Sequence, residues 1–172
     1  VNFKYIPNVV DTSFFSFNKK DFKKEKYTFL NVAHLDAKKN HKGLINAFQN
    51  KFFGNNQYEL IIAGDGPEMK NLNEQISSLD LHDQVKLFGR VSREKVLELM
   101  IQSDCFVLSS FHETFGVVLI EAMSCGLPVI STRSGGPESI ITSDDYGFLC
   151  GQSELGETMR KVTKIEFNPT II

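Results

Sequence analysis

The sequence predicts an α/β fold in three layers, with helices covering both faces of a parallel sheet of about six strands. Short apolar segments alternate with segments whose apolar residues recur at helical spacing, along nearly the whole chain. Glycine, proline and asparagine stand between many of these segments, where turns are expected. At 172 residues, of which 41% are hydrophobic and 23% are charged, the chain is long enough for one domain with a substantial core.

We interpret residues 1–172 as a single domain that begins with a polar lead-in strand and linker over residues 1–26. The linker carries a lysine cluster, and such runs of charge usually lie on a solvated surface. The cluster consists of Lys19, Lys20, Lys23, Lys24 and Lys26.

The first elements after the linker are two apolar strands with a helix between them. Tyr27–Ala33 is an apolar run of strand length, and Tyr58–Ala63 is a second one, ending at Gly64. From His41 to about Asn50, apolar residues at helical spacing predict an amphipathic helix.

Two more helices enclose a short strand. Asp65 or Gly66 is expected to cap the first helix, and Pro67 suits its first turn. Val85–Phe88 is the strand, and Ser92 is expected to cap the second helix. The predicted core face of this second helix is Val96, Leu97, Met100 and Ile101.

The last part of the chain repeats the alternation with shorter strands. Asp104–Leu108 is a strand, and Val117–Cys125 is a helix that a glycine and a proline end. Val129–Ser131 and Gly147–Cys150 are two further strands, separated by a short helix after a Gly-Gly-Pro sequence. A final helix starts at Glu154.

Composition and spacing argue against several kinds of function. A net charge of -2 is unlike the basic surface of a nucleic-acid-binding protein. No apolar run reaches the roughly 20 residues that a membrane-spanning helix needs. The histidines lack zinc-site spacing and no Asp-x-Asp triplet occurs, so we expect no metal site. The cysteines are expected to be buried thiols: Cys105, Cys125 and Cys150.

The segment from His112 to Gly126 carries the strongest functional pattern. Ligands of parallel α/β sheets bind beyond the carboxyl ends of the strands, where Glu113 is expected. The backbone N–H groups of Gly116, Val117 and Val118 would begin a helix and form an anion site. Taken alone, however, Glu113 is better explained as an ordinary loop carboxylate.

Glu121 is unusual because it lies in an otherwise apolar run, Val117–Met123. Burial of a carboxylate without partners costs several kcal/mol, so a donor group must bind it. A ribose diol would supply two hydroxyl donors beside the anion site. A neighbouring loop or a lysine could satisfy the same carboxylate.

Two loops after strands contain further candidates. Lys39 could neutralise a diphosphate, although it could also be a solvated loop lysine, and His34 stands at the end of the first strand. Ala63–Pro67 resembles a shortened phosphate loop, but a tight strand-to-helix turn explains its glycines equally well. The glycines of the Ser134–Glu138 turn are ambiguous in the same way.

Together these motifs resemble the donor-binding, C-terminal half of the GT-B fold, a Rossmann-like domain, in the retaining group 1 glycosyltransferases (family four). Glu113 and Glu121 match the E-x7-E signature of that family, with its FG and EAM-x-CG-x-PV-I context. Ile6–Asp11 resembles the segment that opens the donor domain, and AGDGPE, LFGRV and GGPE follow in the family's order. The likeness extends from about Tyr5 to Leu149.

The resemblance implies a role for each matching residue. Glu113 would contact the donor sugar near the reacting carbon, and Lys39 would stabilise the departing diphosphate, so these two are the implied catalytic residues. Glu121 would bind the ribose. The full set of implied donor-binding residues is His34, Lys39, Val91, Thr114, Phe115, Gly116, Val117 and Glu121. Transfer would retain the anomeric configuration, require no metal or other cofactor, and use a UDP- or GDP-sugar.

Two departures from the family pattern limit these expectations. His34 stands where the family usually has arginine, and its charge is weaker and depends on pH. The family's N-terminal acceptor-binding domain has no counterpart in the chain, which begins at Val1. We therefore expect weak donor binding and no sugar transfer by the chain alone.

The intact enzyme is expected in the cytoplasm, in peripheral contact with the inner face of the cell membrane, acting on a glycan or lipid-linked acceptor. Three alternatives stay open from the residues: a sugar-nucleotide epimerase, a non-catalytic nucleotide-binding module, and a glycoside hydrolase. A hydrolase needs its two carboxylates across an open cleft about 5–10 Å apart. Glu121, placed within a helix, argues against that arrangement.

Overall fold

The structure is a computed structural model that describes residues 8–17 and 25–172. Most of the lysine cluster and the start of the Ile6–Asp11 segment lie outside the described residues. Within residues 8–17 the chain forms a turn at Thr12–Phe14 and no strand, so the predicted lead-in strand is absent from this part. Phe15 is nevertheless buried in the core.

Over the described residues, one sheet of six parallel strands forms the middle layer, which confirms the predicted architecture. Its spatial order is β3-β2-β1-β4-β5-β6. The order reverses between β1 and β4, and a crevice for ligands opens at such a switch point. The strands are β1 (Tyr27–Val32), β2 (Tyr58–Ala63), β3 (Val85–Gly89), β4 (Cys105–Leu108), β5 (Val129–Thr132) and β6 (Gly147–Cys150).

Helices cover both faces of this sheet, and each face carries its own apolar cluster. One cluster contains Leu44, Leu72 and Met159. The other contains Leu99 and Leu119. The helices are α1 (His41–Phe52), α2 (Met69–Ser78), α3 (Arg93–Gln102), α4 (Val117–Ser124) and α5 (Leu155–Val162), with short 3-10 turns at Ala37–Lys39, Gly136–Ser139 and Gln152–Glu154. No helix among the described residues is long and apolar enough to cross a membrane.

Two predicted helix details were wrong. α2 begins at Met69 and its cap position is Glu68, not Asp65 or Gly66, because the preceding loop is hydrogen-bonded to the loop after β1. There Leu35 N donates to Asp65 O at 3.0 Å, and Glu68 N donates to Leu35 O at 3.0 Å. Asp65 Oδ1 accepts from Gly66 N and does not cap the helix.

The buried face of α3 also differs from the prediction. Leu99 is buried together with Met100, whereas Ile101 is only half-buried. Leu99 lies three residues after Val96 and four before the buried Ser103, so these positions share one face. The predicted cap is confirmed, since Ser92 Oγ accepts from Lys95 N at 3.3 Å.

The cysteines are buried free thiols, as predicted. Burial raises the pKa of Cys125 to about 11, so this thiol stays protonated at neutral pH.

Candidate functional site

Lys39 and Glu113, the two implied catalytic residues, meet at the carboxyl ends of β1 and β4. Lys39 Nζ donates to Glu113 Oε2 at 2.6 Å. Both side chains are shielded from water, with 23% and 13% of their surfaces exposed. The structure thus forms a partly buried ion pair at the switch point of the sheet.

A short turn presents Lys39 to this position. Asp36 Oδ1 accepts from the N–H groups of Lys38 at 2.9 Å and Lys39 at 3.2 Å. Asn40 then takes the left-handed conformation with φ 51°, and its side chain caps α1 by accepting from Gly43 N at 3.1 Å. The turn and the cap leave little freedom to the backbone of Lys39.

The backbone of Glu113 is bonded to the loop after β5. Glu113 N donates to Ser134 O at 2.9 Å, and Gly136 N donates to Glu113 O at 2.8 Å. A Cβ atom at Gly136 would lie 2.3 Å from Phe115 Cα, so only glycine fits. Close packing against the Glu113 loop therefore explains Gly136.

The amino end of α4 lies beside Glu113. Gly116 precedes the helix with φ 97°, and no side chain caps its first turn. A Cβ atom at Gly116 would lie 3.6 Å from Glu113 Cγ. The positive end of the helix dipole thus lies beside Glu113, whose carboxylate also contacts the Lys39 ammonium, and both positive groups attract anions. Of the neighbouring predicted residues, Thr114 is exposed, Phe115 is half-buried and Val117 is 39% exposed.

Glu121 is half-buried, as its apolar surroundings predict. Within residues 8–17 and 25–172 its carboxylate makes no hydrogen bond or ion pair, so neither predicted protein partner is found there. Burial raises the pKa of Glu121, and the positive charge of Arg93 opposes this rise. The carboxylate is therefore poorly solvated and has acceptor capacity for a ligand.

A second region of the site lies at the carboxyl ends of β1, β2 and β3. His34, Arg90 and Val91 line a cavity of about 500 Å³ there, together with Asp65. The His34 side chain is exposed in this cavity. Its remaining lining includes apolar side chains, namely Val32, Ala63 and Val96.

The glycines at this second region have a packing role. A Cβ atom at Gly64 would lie 1.8 Å from Ala33 O, and one at Gly66 would lie 2.5 Å from Leu35 O. The tight strand-to-helix turn therefore accounts for both residues. His34 and Val91 are thus brought to one cavity, while Lys39, Glu113 and Gly116 are brought together on the other side of β1.

Sequence reasoning missed several polar residues around the ion pair. Ser109 Oγ donates to Lys39 O at 2.8 Å, and Ser110 Oγ lies 3.5 Å from Glu113 Oε2. These two serines directly follow the apolar strand β4, which was a usable signal for a site at its carboxyl end. Gln152, which bonds to the same loops, gave no such signal because it is distant in sequence.

A buried network lies beneath the Lys39 turn. Asn31 Nδ2 donates to Val107 O at 2.8 Å, and His41 Nε2 lies 3.0 Å from Asn31 Oδ1. Because a carbonyl only accepts, Asn31 must present its oxygen to His41, whose Nε2 therefore carries the proton. His41 Nδ1 is buried without a partner among the described residues, and burial lowers the pKa of His41 to about 4. His41 is thus a neutral residue of the core.

Comparison with known proteins gives one consistent family. The sequence profile described as glycosyl transferases group 1 matches residues 13–170. The N-acetyl-alpha-D-glucosaminyl L-malate synthase of Bacillus anthracis is 41% identical over 100 residues, which are 58% of this chain and 25% of that protein. The crystal structure of Anabaena HepE in complex with UDP superposes with a TM-score of 0.80 at 27% identity, covering 94% of this chain and 47% of HepE.

The crystal structure of an isolated domain shares the fold as well. It is the C-terminal domain of the group 1 family protein LpcC from Francisella tularensis, with a TM-score of 0.79 at 19% identity. The match covers 91% of this chain and 89% of that domain. The chain therefore spans about a quarter of the synthase and about half of HepE.

Proposed function

The chain belongs to the group 1 glycosyl transferases, and from this premise we propose that it binds the nucleotide-diphosphate sugar that donates the glycosyl group. The observation that carries the proposal is the Lys39–Glu113 ion pair beside the uncapped amino end of α4. A shielded cation next to free helix N–H groups suits a diphosphate. A carboxylate within 2.6 Å of that cation suits the hydroxyl groups of the attached sugar.

The proposed chemistry follows from where negative charge develops. When the bond between the sugar and the diphosphate breaks, charge grows on the leaving phosphate. Lys39 and the N–H groups of Gly116 and Val117 would stabilise that charge more strongly in the transition state than in the bound donor. Glu113 would meanwhile hold the sugar near its reacting carbon. The transfer would retain the anomeric configuration and need no metal.

The nucleoside would bind beyond these groups. The half-buried Glu121 carboxylate would accept hydrogen bonds from the two ribose hydroxyls, which its lack of other partners in the described chain favours. The base would enter the cavity lined by His34 and Val91.

UDP is the first nucleotide to test, because HepE, which is 27% identical to this chain, was crystallised in complex with UDP. The name of the Bacillus relative makes N-acetylglucosamine the first donor sugar to test.

The acceptor would bind a second domain, because the chain spans only part of its relatives. We propose a glycan or a lipid-linked acceptor, and action at the cytoplasmic face of the membrane. On this proposal the chain alone binds the donor weakly and transfers no sugar.

Two experiments test the proposal. Calorimetry of this chain with UDP, GDP and ADP should show binding of UDP, and failure of all three to bind would contradict the donor-site assignment. In the intact enzyme, Glu113→Gln should abolish transfer, because the proposed contact with the donor sugar loses its charge. UDP affinity should stay within about threefold of the wild type, because a neutral amide fills the same space. Full activity of Glu113→Gln would leave a binding module as the better description.

A further inference from the structure

The side chain of Gln152 joins three loops at the carboxyl edge of the sheet. Its Oε1 accepts from Asn40 Nδ2 at 2.8 Å. Its Nε2 donates to Ser110 O at 2.9 Å and to Ser109 O at 3.4 Å. Asn40 directly follows Lys39, and Ser110 precedes Glu113 by three residues. One neutral amide therefore contacts the loops of both members of the ion pair.

Each amide in this connection has one possible orientation. Asn40 Oδ1 accepts from Gly43 N, so the Asn40 amide nitrogen must face Gln152. The serine carbonyls can only accept, so they require the Gln152 nitrogen. The donors and acceptors of Gln152 thus match those of both loops without an alternative arrangement.

The Ser110 carbonyl is held from two sides. It accepts from Gln152 Nε2 and also from Thr132 Oγ1, at 2.7 Å, while Ser110 itself is fully buried. Both lone pairs of this oxygen are then occupied, which sets the plane of the peptide that leads toward Glu113. The side chain of Ser110 in turn lies 3.5 Å from Glu113 Oε2.

We propose that Gln152 is a positioning residue for the donor site, holding the Lys39 loop against the Glu113 loop at the spacing that their ion pair and the diphosphate require. The inference rests on the proposed function. Among the described residues, the Gln152 side chain makes no hydrogen bond to either member of the pair. It acts through Asn40 and through the carbonyls of Ser109 and Ser110.

The exposed position of Gln152 makes this role separable from folding. Gln152→Leu removes one exposed and two part-buried hydrogen bonds and opens no cavity in the core. Gln152→Glu can still accept from Asn40 but cannot donate to the serine carbonyls. Gln102→Leu is a matched control, because it is the same change at another exposed glutamine. Gln102 lies at the end of α3, close to the amino end of β4 and away from the carboxyl edge of the sheet.

The experiment uses this chain with UDP as the probe. The Lys39 ammonium group is followed in a proton–nitrogen correlation spectrum, where a bonded, shielded ammonium gives a signal and a solvated one exchanges too fast. UDP affinity and melting temperature are measured on the same samples. We expect Gln152→Leu and Gln152→Glu to lose the Lys39 signal and to weaken UDP binding about fivefold, which corresponds to the loss of about one hydrogen bond. Gln102→Leu should match the wild type in all three measurements.

If Gln152→Leu keeps both the Lys39 signal and the UDP affinity of the wild type, the inference is overturned and the proposed function is unaffected. The same result for Gln152→Glu alone would overturn the role of the serine carbonyls. If the wild type fails to bind UDP while Gln152→Leu still loses the Lys39 signal, the proposed function fails together with the donor-site role of Gln152, and only its role in holding the ion pair is supported.

Discussion

The two regions of the site, on either side of β1, are built differently. On the β4 side, charged side chains meet in an ion pair, and hydrogen bonds among several loops hold them. On the β2 side, glycines pack backbone against backbone, and the side chains of His34 and Arg90 stay exposed around a cavity. The first region is held by its own ion pair and hydrogen bonds, whereas the second offers a cavity of about 500 Å³. We expect the first to set reactivity and the second to set which base is bound.

The largest effects should come from two glycines, Gly136 in the region on the β4 side and Gly64 in the region on the β2 side. Gly136→Ala would force a Cβ atom to 2.3 Å from Phe115 Cα, and Gly64→Ala would force one to 1.8 Å from Ala33 O. Each should destabilise the fold by about 3 kcal/mol or more, because backbone must move. Urea denaturation measures this loss.

Gly54→Ala is the control for these substitutions. Gly54 has a positive φ of 73°, and a Cβ atom added there would meet no atom within 4 Å, so only backbone strain opposes alanine. The substitution should cost about 1 kcal/mol. Equal losses at Gly54 and Gly136 would contradict the packing explanation.

Acid should lower the free energy of unfolding through protonation of His41, which belongs to the buried network beneath the Lys39 turn. Its pKa is lowered to about 4 in the fold, so the unfolded chain binds the proton first. The contribution to stability is complete above about pH 7 and declines as the pH falls toward 4, by about 3 kcal/mol in total. His41→Gln keeps a donor toward Asn31 and cannot titrate, so denaturation of both proteins across this range isolates the effect. Parallel curves would contradict the assignment.

Lys39 should matter more for nucleotide binding than His34 does. Lys39→Met removes a shielded ammonium and should weaken UDP binding roughly tenfold to a hundredfold, as expected for loss of a charge-assisted contact. His34→Leu removes an exposed donor and should weaken it only about threefold. Calorimetry with UDP compares the two. A larger loss of UDP affinity from His34→Leu than from Lys39→Met would contradict this prediction.

The smallest effect should be the acid sensitivity of UDP binding through Glu121, the proposed ribose-binding residue. Since burial raises the pKa of this carboxyl, it is protonated at a higher pH than an ordinary glutamate. UDP affinity should therefore begin to fall at that higher pH on acidification, because a protonated carboxyl accepts hydrogen bonds less well. Titration of UDP into wild type and Glu121→Gln checks this. Glu121→Gln should bind UDP more weakly at neutral pH. Its UDP affinity should not show the fall that protonation of Glu121 causes in the wild type.

Particular residues show how far sequence reasoning reached. The strands and the cap at Ser92 were predictable because apolar periodicity and capping act over a few residues. The E-x7-E pair identified Glu113 and Glu121, yet residue chemistry alone could not separate a ligand-binding carboxylate from a paired one. The start of α2 was missed because hydrogen bonds to Leu35 compete with a helix start at Asp65.

The sequence by itself determined the layered α/β architecture, the burial of the cysteines and the kinship to group 1 glycosyl transferases. Only the tertiary structure decided that Lys39 pairs with Glu113, that Gln152 bonds to both of their loops, and that Gly136 is needed beside Phe115. The physical reason is separation along the chain. Local patterns encode elements, but contacts between loops 42 to 112 residues apart depend on the register of the sheet that carries them.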